Sequence, residues 1–221
     1  MPTTLLAIDT ATEVCSVALA RGEDVRERAE AVGQRHSERI LPMVEALLRE
    51  TGLRLQECDA IAFGSGPGAF TGLRIACGIA QGLAFARDLP ACGVSTLEAL
   101  AEESGARRAV ACLDARMGEV YYCALERQDG RWREVIPAQC VAPERAPRPP
   151  GAGWVGCGSG VAAYGDMGFD RVYPEIHPGA AAVARLAAPR LAAGEGVDAA
   201  CIAPVYLRDK VALTTEERRN R

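Results

Sequence analysis

The residues best suited to chemistry form a glycine-rich segment in the first third of the chain. Residues 64–74 read GSGPGAFTGLR and lie between a predicted strand and a predicted helix. Glycine lets the backbone approach a neighbouring group closely, and a helix N-terminus offers free N–H groups to an anion. The segment therefore indicates either a phosphate-binding loop or a turn that packs the helix tightly. Its motif residues are Gly64, Gly66, Pro67, Gly68, Phe70, Thr71, Gly72 and Arg74.

Residues 9–10 follow the first predicted strand, and residues 158–160 follow a late strand. They fall where an ATPase of the ASKHA superfamily would place its phosphate and adenosine contacts, so the resemblance to that superfamily implies a weak nucleotide site. An ATPase of this kind also needs a lysine or additional carboxylates to hold magnesium and orient water. Lys210 is the sole lysine and has no GxxxxGK[ST] motif around it, which excludes a P-loop. The residues of this vestigial nucleotide site are Asp9, Thr10, Gly158, Ser159 and Gly160, with Asp114 as a second candidate carboxylate.

Cysteine and histidine provide little metal or nucleophile chemistry. No two of the nine cysteines lie within four residues of each other, so there is no CxxC motif, and we expect buried, reduced thiols. His36 precedes a predicted helix and is expected to be solvated or to cap it, whereas His177 is expected in a loop. The chain has no HExxH motif, and neither histidine is close in sequence to a plausible nucleophile, which argues against a peptidase. We predict no metal site.

The composition describes a globular chain of ordinary polarity. Its 221 residues are 49% hydrophobic and 24% charged, with a net charge of −4, which argues against a dedicated nucleic-acid binder. The N-terminus lacks the basic region of a signal peptide. The longest apolar helix, 72–86, has 15 residues, whereas a bilayer span needs about 20. We therefore expect a soluble cytoplasmic protein without membrane contact.

Hydrophobic periodicity predicts an α/β protein of two lobes. Three strands open the chain as an antiparallel meander, and helices then alternate with strands up to a hinge at 104–108. Ser37 is the predicted N-cap of the first helix, and Ser95 or Thr96 caps the third. The predicted strands are 5–8, 14–20, 25–31, 59–64, 92–94, 110–113, 119–125, 132–136 and 154–157, and the predicted helices are 37–51, 72–86, 96–103, 180–191 and a helix end at 216–221.

The helix at 72–86 is apolar or small almost all round. A helix on the surface of a globular protein normally carries a polar face. Ala76, Ala80 and Ala84 form a flat stripe, and Gly78 and Gly82 each cost about 1 kcal/mol relative to alanine, which indicates tight packing. The helix is therefore either central to its own domain or covered by a second chain.

Several motifs resemble known protein families. Residues 6–12, LAIDTAT, resemble the first phosphate loop of the ASKHA (actin, sugar kinase, Hsp70) superfamily. Residues 64–74 closely resemble the GxGPGSFTGLR signature of the TsaB (YeaZ) family, with Ala69 where serine is usual, and residues 93–97, 114–121 and 204–208 match that family in order. The resemblance implies two ASKHA-like lobes, 1–104 and 105–221, each a mixed sheet flanked by helices. In this arrangement, the last helix of the second lobe can pack back on the first lobe.

The resemblance also implies a role in making N6-threonylcarbamoyladenosine beside the tRNA anticodon. In that family the transfer is attributed to the paralogue TsaD, with TsaB as heterodimer partner and the ATPase TsaE as a third component. TsaD-like proteins hold a metal with HxxxH, whereas this chain has Thr96 and Leu100 at those positions, and neither can replace an imidazole. We therefore expect no cofactor of its own, with ATP and a metal in the partner subunits.

These implications predict a non-catalytic subunit that binds and activates TsaD, self-associates as a homodimer, and meets TsaE and tRNA only through the complex. The contact is expected on the helices at 37–51 and 72–86. The main alternative is an active ASKHA-type ATPase or kinase, and a third is direct tRNA capture by Arg107, Arg108 and the arginine tail. The predicted interface residues are Met43, Leu47, Ile75, Ile79, Gln81 and Leu83.

Overall fold

The first lobe is built on a mixed five-stranded sheet. A computed structural model of the protein describes residues 3–169 and 171–208, so the predicted helix end at 216–221 lies outside the described residues. The spatial order of the strands is β3-β2-β1-β4-β5; the first three form an antiparallel meander, and β4 and β5 run parallel to β1. The strands are β1 (Thr4–Asp9), β2 (Val14–Arg21), β3 (Asp24–Ala31), β4 (Ala60–Gly66) and β5 (Ala91–Ser95).

The second sheet repeats this topology. Its order is β10-β9-β6-β7-β8, with an antiparallel meander followed by two strands parallel to the first. Asp129 and Gly130 both have positive φ, 51° and 78°, and form the predicted hairpin turn between β7 and β8. The strands are β6 (Arg108–Arg116), β7 (Glu119–Gln128), β8 (Arg131–Val141), β9 (Val155–Cys157) and β10 (Val172–Tyr173). Two mixed sheets flanked by helices confirm the predicted two-lobe α/β fold.

Five helices flank the two sheets in the described part of the chain: α1 (His36–Thr51), α2 (Phe70–Arg87), α3 (Thr96–Glu103), α4 (Ser159–Tyr164) and α5 (Ala180–Ala192). Successive residues of a strand point to opposite faces, so Leu6 and Ile8 pack with α1 and α2, whereas Leu5 and Ala7 pack with α3 and α5. Although α5 follows the second sheet along the chain, it lies on the first sheet.

The helix starts follow local capping chemistry only in part. Ser95 caps α3 as predicted, since its hydroxyl accepts a hydrogen bond from the backbone N–H of Glu98 at 3.5 Å. Ser37 is not the N-cap of α1, because the helix already begins at His36. The residue before it, Arg35, provides no side-chain hydrogen bond. Within the described residues, the start of α1 therefore lacks the side-chain cap that the sequence predicts.

One hydrophobic core runs from the first sheet into the second. Leu97 and Leu100 of α3 are completely buried between the sheets. They belong to the same cluster as Ala7 of β1, Ala111 of β6 and Val183 of α5. The core that joins the lobes therefore belongs to neither lobe alone. Among residues 3–169 and 171–208, no helix is long and apolar enough to cross a bilayer.

Candidate functional site

The glycine-rich segment packs against the turn that follows β1. A Cβ on Gly72 would lie 2.0 Å from the carbonyl oxygen of Thr10, and one on Gly68 would lie 2.5 Å from that of Ala11. The Thr10 hydroxyl donates to the carbonyl of Gly72 at 2.7 Å, and the Ala69 N–H donates to the carbonyl of Ala11 at 2.8 Å. These close approaches are made to the chain's own backbone, which favours the packing alternative over a phosphate cradle.

The other side of the same segment packs against residues 204–208. Gly66 has φ +121°, and a Cβ there would lie 2.4 Å from the Val205 carbonyl oxygen. The Val205 N–H donates to the Ser65 carbonyl at 2.7 Å. Arg74 stacks 3.8 Å above the Phe70 ring and donates from Nε to the Tyr206 hydroxyl at 3.0 Å. The motif side chains at the start of α2 are therefore fixed by a segment more than 130 residues away.

Arg208 continues this contact into the second lobe. Its guanidinium donates to the carbonyl oxygens of Ala115 at 2.9 Å and Arg116 at 3.3 Å and forms an ion pair with Glu119. Residues 204–208 thereby tie the glycine-rich segment to the turn between β6 and β7. Tyr206 and Arg208 were not predicted as site residues, although their segment matches the family, because their contacts are entirely long-range.

A cavity of about 990 Å³ lies where these three segments meet. The start of α2 and residues 67–69 form one wall, and the β6–β7 turn and α4 form the facing wall. Tyr206 and Arg208 lie at its edge. Three of the four TsaB-like segments, at 64–74, 114–121 and 204–208, therefore contribute to a single interlobe cavity.

Asp9 is fully buried and does not line the cavity. Its Oδ1 accepts the Ala11 N–H at 3.0 Å, and its Oδ2 has no hydrogen-bond partner among the described residues. Burial is the main cause that raises the pKa of Asp9 to about 7; the hydrogen bond from the Ala11 N–H opposes this shift, and the charge of Glu27 adds to it. Thr10 is equally buried. Neither side chain reaches a ligand in the cavity.

The second predicted nucleotide segment mainly packs α4 onto β6. A Cβ on Gly158 would lie 2.5 Å from Cδ2 of Leu100, and one on Gly160 would lie 2.3 Å from the Cys112 sulfur. The Ser159 hydroxyl accepts the Asp114 N–H at 3.1 Å and lines the cavity. Of the five predicted nucleotide-site residues, Ser159 alone contributes to the cavity wall.

The histidines differ in their surroundings. His36 lines the cavity but is buried, and its Nε2 has no hydrogen-bond partner in the described chain, so the prediction of a solvated or capping residue is wrong. His177 lies in a loop as predicted, with Nδ1 3.7 Å from a carboxylate oxygen of Glu13. The HxxxH-equivalent positions, Thr96 and Leu100, are buried in the interlobe core and offer a hydroxyl and an alkyl group. They do not fit a metal.

The outer face of α2 is open, and it is apolar around Gly78, Gly82 and Phe85, whereas Arg74 and Gln81 are exposed beside this patch. Phe85 is 81% exposed, and added Cβ atoms on Gly78 and Gly82 would meet no atom of residues 3–169 or 171–208 within 4 Å. The alanine stripe at 76, 80 and 84 instead faces the chain's own core. The predicted tight packing around the two glycines is therefore absent within the described chain.

The predicted interface residues divide into two groups. Ile75, Ile79 and Leu83 are half-buried at the margin of the open face of α2, and Gln81 is exposed and donates to the Ala199 carbonyl at 3.1 Å. Met43 and Leu47 do not lie on the surface, contrary to the prediction. They are 3% and 1% exposed and pack in the core beneath α1 and α2, because they occupy the sheet-facing side of α1.

The duplicated sheet topology and the cavity between the sheets define a two-lobe protein of the ASKHA type. The family model described as TsaD, tRNA N6-adenosine threonylcarbamoyltransferase, matches residues 29–155. The matched segment contains helices α1 and α2 and most of the second sheet.

Similar proteins identify the family more closely. The tRNA threonylcarbamoyladenosine biosynthesis protein TsaB of Escherichia coli is 41% identical over 94% of this chain and 96% of its own. The protein of that name from Haemophilus influenzae is 47% identical over 65% of this chain and 66% of its own. A solved structure described as YeaZ from Pseudomonas aeruginosa has a TM-score of 0.88 and 44% identity, covering 93% of this chain and 100% of that one. The chain belongs to the TsaB (YeaZ) family of tRNA threonylcarbamoyladenosine biosynthesis proteins.

Proposed function

We propose that this protein is a non-catalytic subunit for tRNA N6-threonylcarbamoyladenosine synthesis that binds and activates a TsaD-type transferase. The contact surface is the outer face of α2 with the adjoining exposed side of α1. In the absence of TsaD the same surface pairs with a second copy of the chain. TsaE joins the heterodimer, and tRNA is engaged only through the complex.

The open apolar face of α2 is the single observation that supports this proposal most strongly. Phe85 is 81% exposed, and Leu41 of α1 is 44% exposed. Burying one such side chain stabilises an association by about 1.5–3 kcal/mol. Exposed aromatic residues with apolar neighbours are typical of protein interfaces. Ile75, Ile79, Gln81 and Leu83 are proposed contacts at the edge of this patch.

Gly78 and Gly82 provide a second argument that a partner chain covers the outer face of α2. Each destabilises a helix interior by about 1 kcal/mol relative to alanine, and neither gains any packing within the described chain. The two residues lie one turn apart on the open face. A partner helix could approach the α2 backbone closely at these positions, so that contacts between chains offset the intrinsic cost.

The division of chemistry between subunits follows from the residues at the family's metal positions. Thr96 and Leu100 provide no imidazole, and both are buried. The catalytic metal and ATP are therefore proposed to belong to the partner subunits. The interlobe contacts of Arg208 hold this chain in one arrangement, which suits a subunit that supports the shape of another.

The alternative of an ATPase or kinase receives less support. Such an enzyme would use Asp9 to hold magnesium near the phosphates, but the Asp9 carboxyl is buried away from the cavity. Titration calorimetry with ATP and magnesium distinguishes the two functions. Tight binding that is lost in an Asp9→Ala variant with an intact fold would favour the enzyme.

The decisive experiment measures TsaD binding by a Phe85→Glu variant. Because Phe85 is highly exposed, the substitution leaves the isolated fold intact but places a charge in the proposed interface. We expect at least about 30-fold weaker binding, equivalent to about 2 kcal/mol. Homodimerisation, measured by analytical ultracentrifugation, should weaken in parallel.

Met117→Glu is the matched control. Met117 is 47% exposed in the β6–β7 turn, so the substitution also introduces a carboxylate at an exposed apolar residue. This variant should bind TsaD like the parent protein. Unchanged TsaD binding by folded Phe85→Glu protein contradicts the proposed surface. Threonylcarbamoyl transfer to tRNA by this chain alone would contradict the non-catalytic role.

A further inference from the structure

A second pocket lies where the β7–β8 hairpin meets α5. It has a volume of about 220 Å³ and lies apart from the interlobe cavity. Among the residues that the structure describes, its wall contains five arginines and no acidic residue. The lining residues are Arg127, Gly130, Arg131, Trp132, Arg133, Arg185, Leu186, Pro189 and Arg190.

Carboxylates behind the wall hold three of these arginines in place. Arg127 lies 3.0 Å from the carboxylate of Glu102, to which the Trp132 indole also donates at 2.8 Å. Arg185 and Arg190 each form an ion pair at 2.7 Å with a glutamate of α3. A guanidinium has five N–H donors in a fixed fork, so donors remain for a ligand after these pairs form.

Arg131 and Arg133 are held less tightly by neighbouring carboxylates than the other three arginines. Arg131 reaches Glu195 only at 3.7 Å, and both side chains of that pair are about half exposed. Arg133 forms no ion pair with any residue in 3–169 or 171–208. These two guanidinium groups are therefore available at the rim of a pocket whose inner arginines are already oriented.

We propose that this pocket binds a phosphate group. Oriented guanidinium groups suit phosphate because two N–H donors can match two of its oxygens. The positive wall attracts an anion, and the carboxylates that orient the inner arginines lie outside the wall. The phosphate can come from an RNA backbone or from a free phosphate ester.

The position of the pocket makes it independent of the proposed TsaD contact. Helix α5 packs on the face of the first sheet opposite to α1 and α2. A partner seated on the outer face of α2 therefore leaves the pocket open. The inference thus goes beyond the proposed function and can fail or succeed separately from it.

Calorimetric titration of the full chain with inorganic phosphate in a chloride buffer tests the pocket. The test variant is Arg131→Gln/Arg133→Gln, which removes the two rim charges without breaking the ion pairs of α3. We expect saturable phosphate binding by the parent and at least tenfold weaker binding by the variant. Arg145→Gln, an exposed arginine beyond the far end of β8, is the single-charge control and should bind like the parent.

Charge alone is controlled by a second double variant, Arg49→Gln/Arg145→Gln, which carries the same net charge as the test variant. Equal phosphate affinity of the two double variants, or no saturable binding by the parent below about 10 mM, overturns the proposal. Matching thermal melts exclude unfolding as the cause of any loss.

A tRNA titration of the complex with TsaD, through which tRNA is proposed to be engaged, identifies the source of the phosphate. If the pocket binds a phosphate of the RNA backbone, the rim variant binds tRNA more weakly than the charge-matched variant. The slope of the logarithm of its binding constant against the logarithm of salt concentration then falls by about one, the value for one phosphate contact. If the source is a free phosphate ester, both double variants bind tRNA equally and differ only toward inorganic phosphate. Either result supports a phosphate pocket. If instead the two double variants have equal affinities for tRNA and equal affinities for inorganic phosphate, the proposal is refuted.

Discussion

The contact between Gly72 and the turn after β1 predicts a large effect for one methyl group. In a Gly72→Ala variant the new Cβ would lie 2.0 Å from the Thr10 carbonyl oxygen, whereas ordinary contacts begin at 3.4 Å. The start of α2 and the turn must therefore separate by about 1.4 Å. That movement strains the core and breaks the hydrogen bond from Thr10 to Gly72, 2.7 Å long, and the one from Ala69 to Ala11. We expect a loss of about 3–5 kcal/mol in the free energy of unfolding.

Gly78→Ala is the matched control because it lies in the same helix and its Cβ meets nothing within 4 Å. Removing glycine from the helix interior should raise the free energy of unfolding by about 0.5–1 kcal/mol. Urea unfolding, followed by circular dichroism at concentrations where the chain is monomeric, measures both values. A Gly72→Ala protein within about 1 kcal/mol of the parent would refute the close approach that defines the site.

Three further predictions concern buried or exposed single groups. Because burial raises the pKa of Asp9 from 3.8 to about 7, its contribution to stability is present below pH 4 and is lost as the pH rises through 7. Asp9→Asn should remove up to about 3 kcal/mol of that pH-dependent loss in urea unfolding between pH 5 and 8; an unchanged pH profile contradicts the shift. Cys201 is exposed, so a disulfide reagent should modify it first under native conditions, and Cys201→Ser should abolish the fast phase. Trp132→Phe removes the hydrogen bond to Glu102 and should cost about 1–2 kcal/mol in urea unfolding; an unchanged midpoint counts against that bond.

The sequence predicts the described elements well because their apolar runs are local. All nine predicted strands are present, and the helix predicted at 72–86 spans Phe70–Arg87. Strands β6, β7 and β8 extend beyond their predicted ends, as in β8, Arg131–Val141, an edge strand whose second half is predicted as loop. Single-residue capping is less predictable: Ser37 has the chemistry of an N-cap, but the helix already begins at His36.

The site is predictable as a motif but not as a geometry. The residue types and spacing of 64–74 mark this segment as a motif in the sequence. The residues it packs against, Thr10 and Val205, come from distant parts of the chain. The burial of Asp9 follows from how the sheet and α2 pack, and no local pattern reveals it. The arginine-lined pocket likewise joins α5 to a hairpin more than 50 residues earlier, so its residues look like scattered surface charges in the sequence.

The hydrophobic core that passes from the first sheet through α3 into the second has a mechanical consequence. A clamp-like enzyme opens and closes its halves around a ligand, and that requires a hinge with little apolar material across it. In this protein, separation of the two sheets would expose Leu97 and Leu100 to water. We therefore expect the two sheets to keep one relative arrangement, so that little conformational freedom is lost when a partner binds.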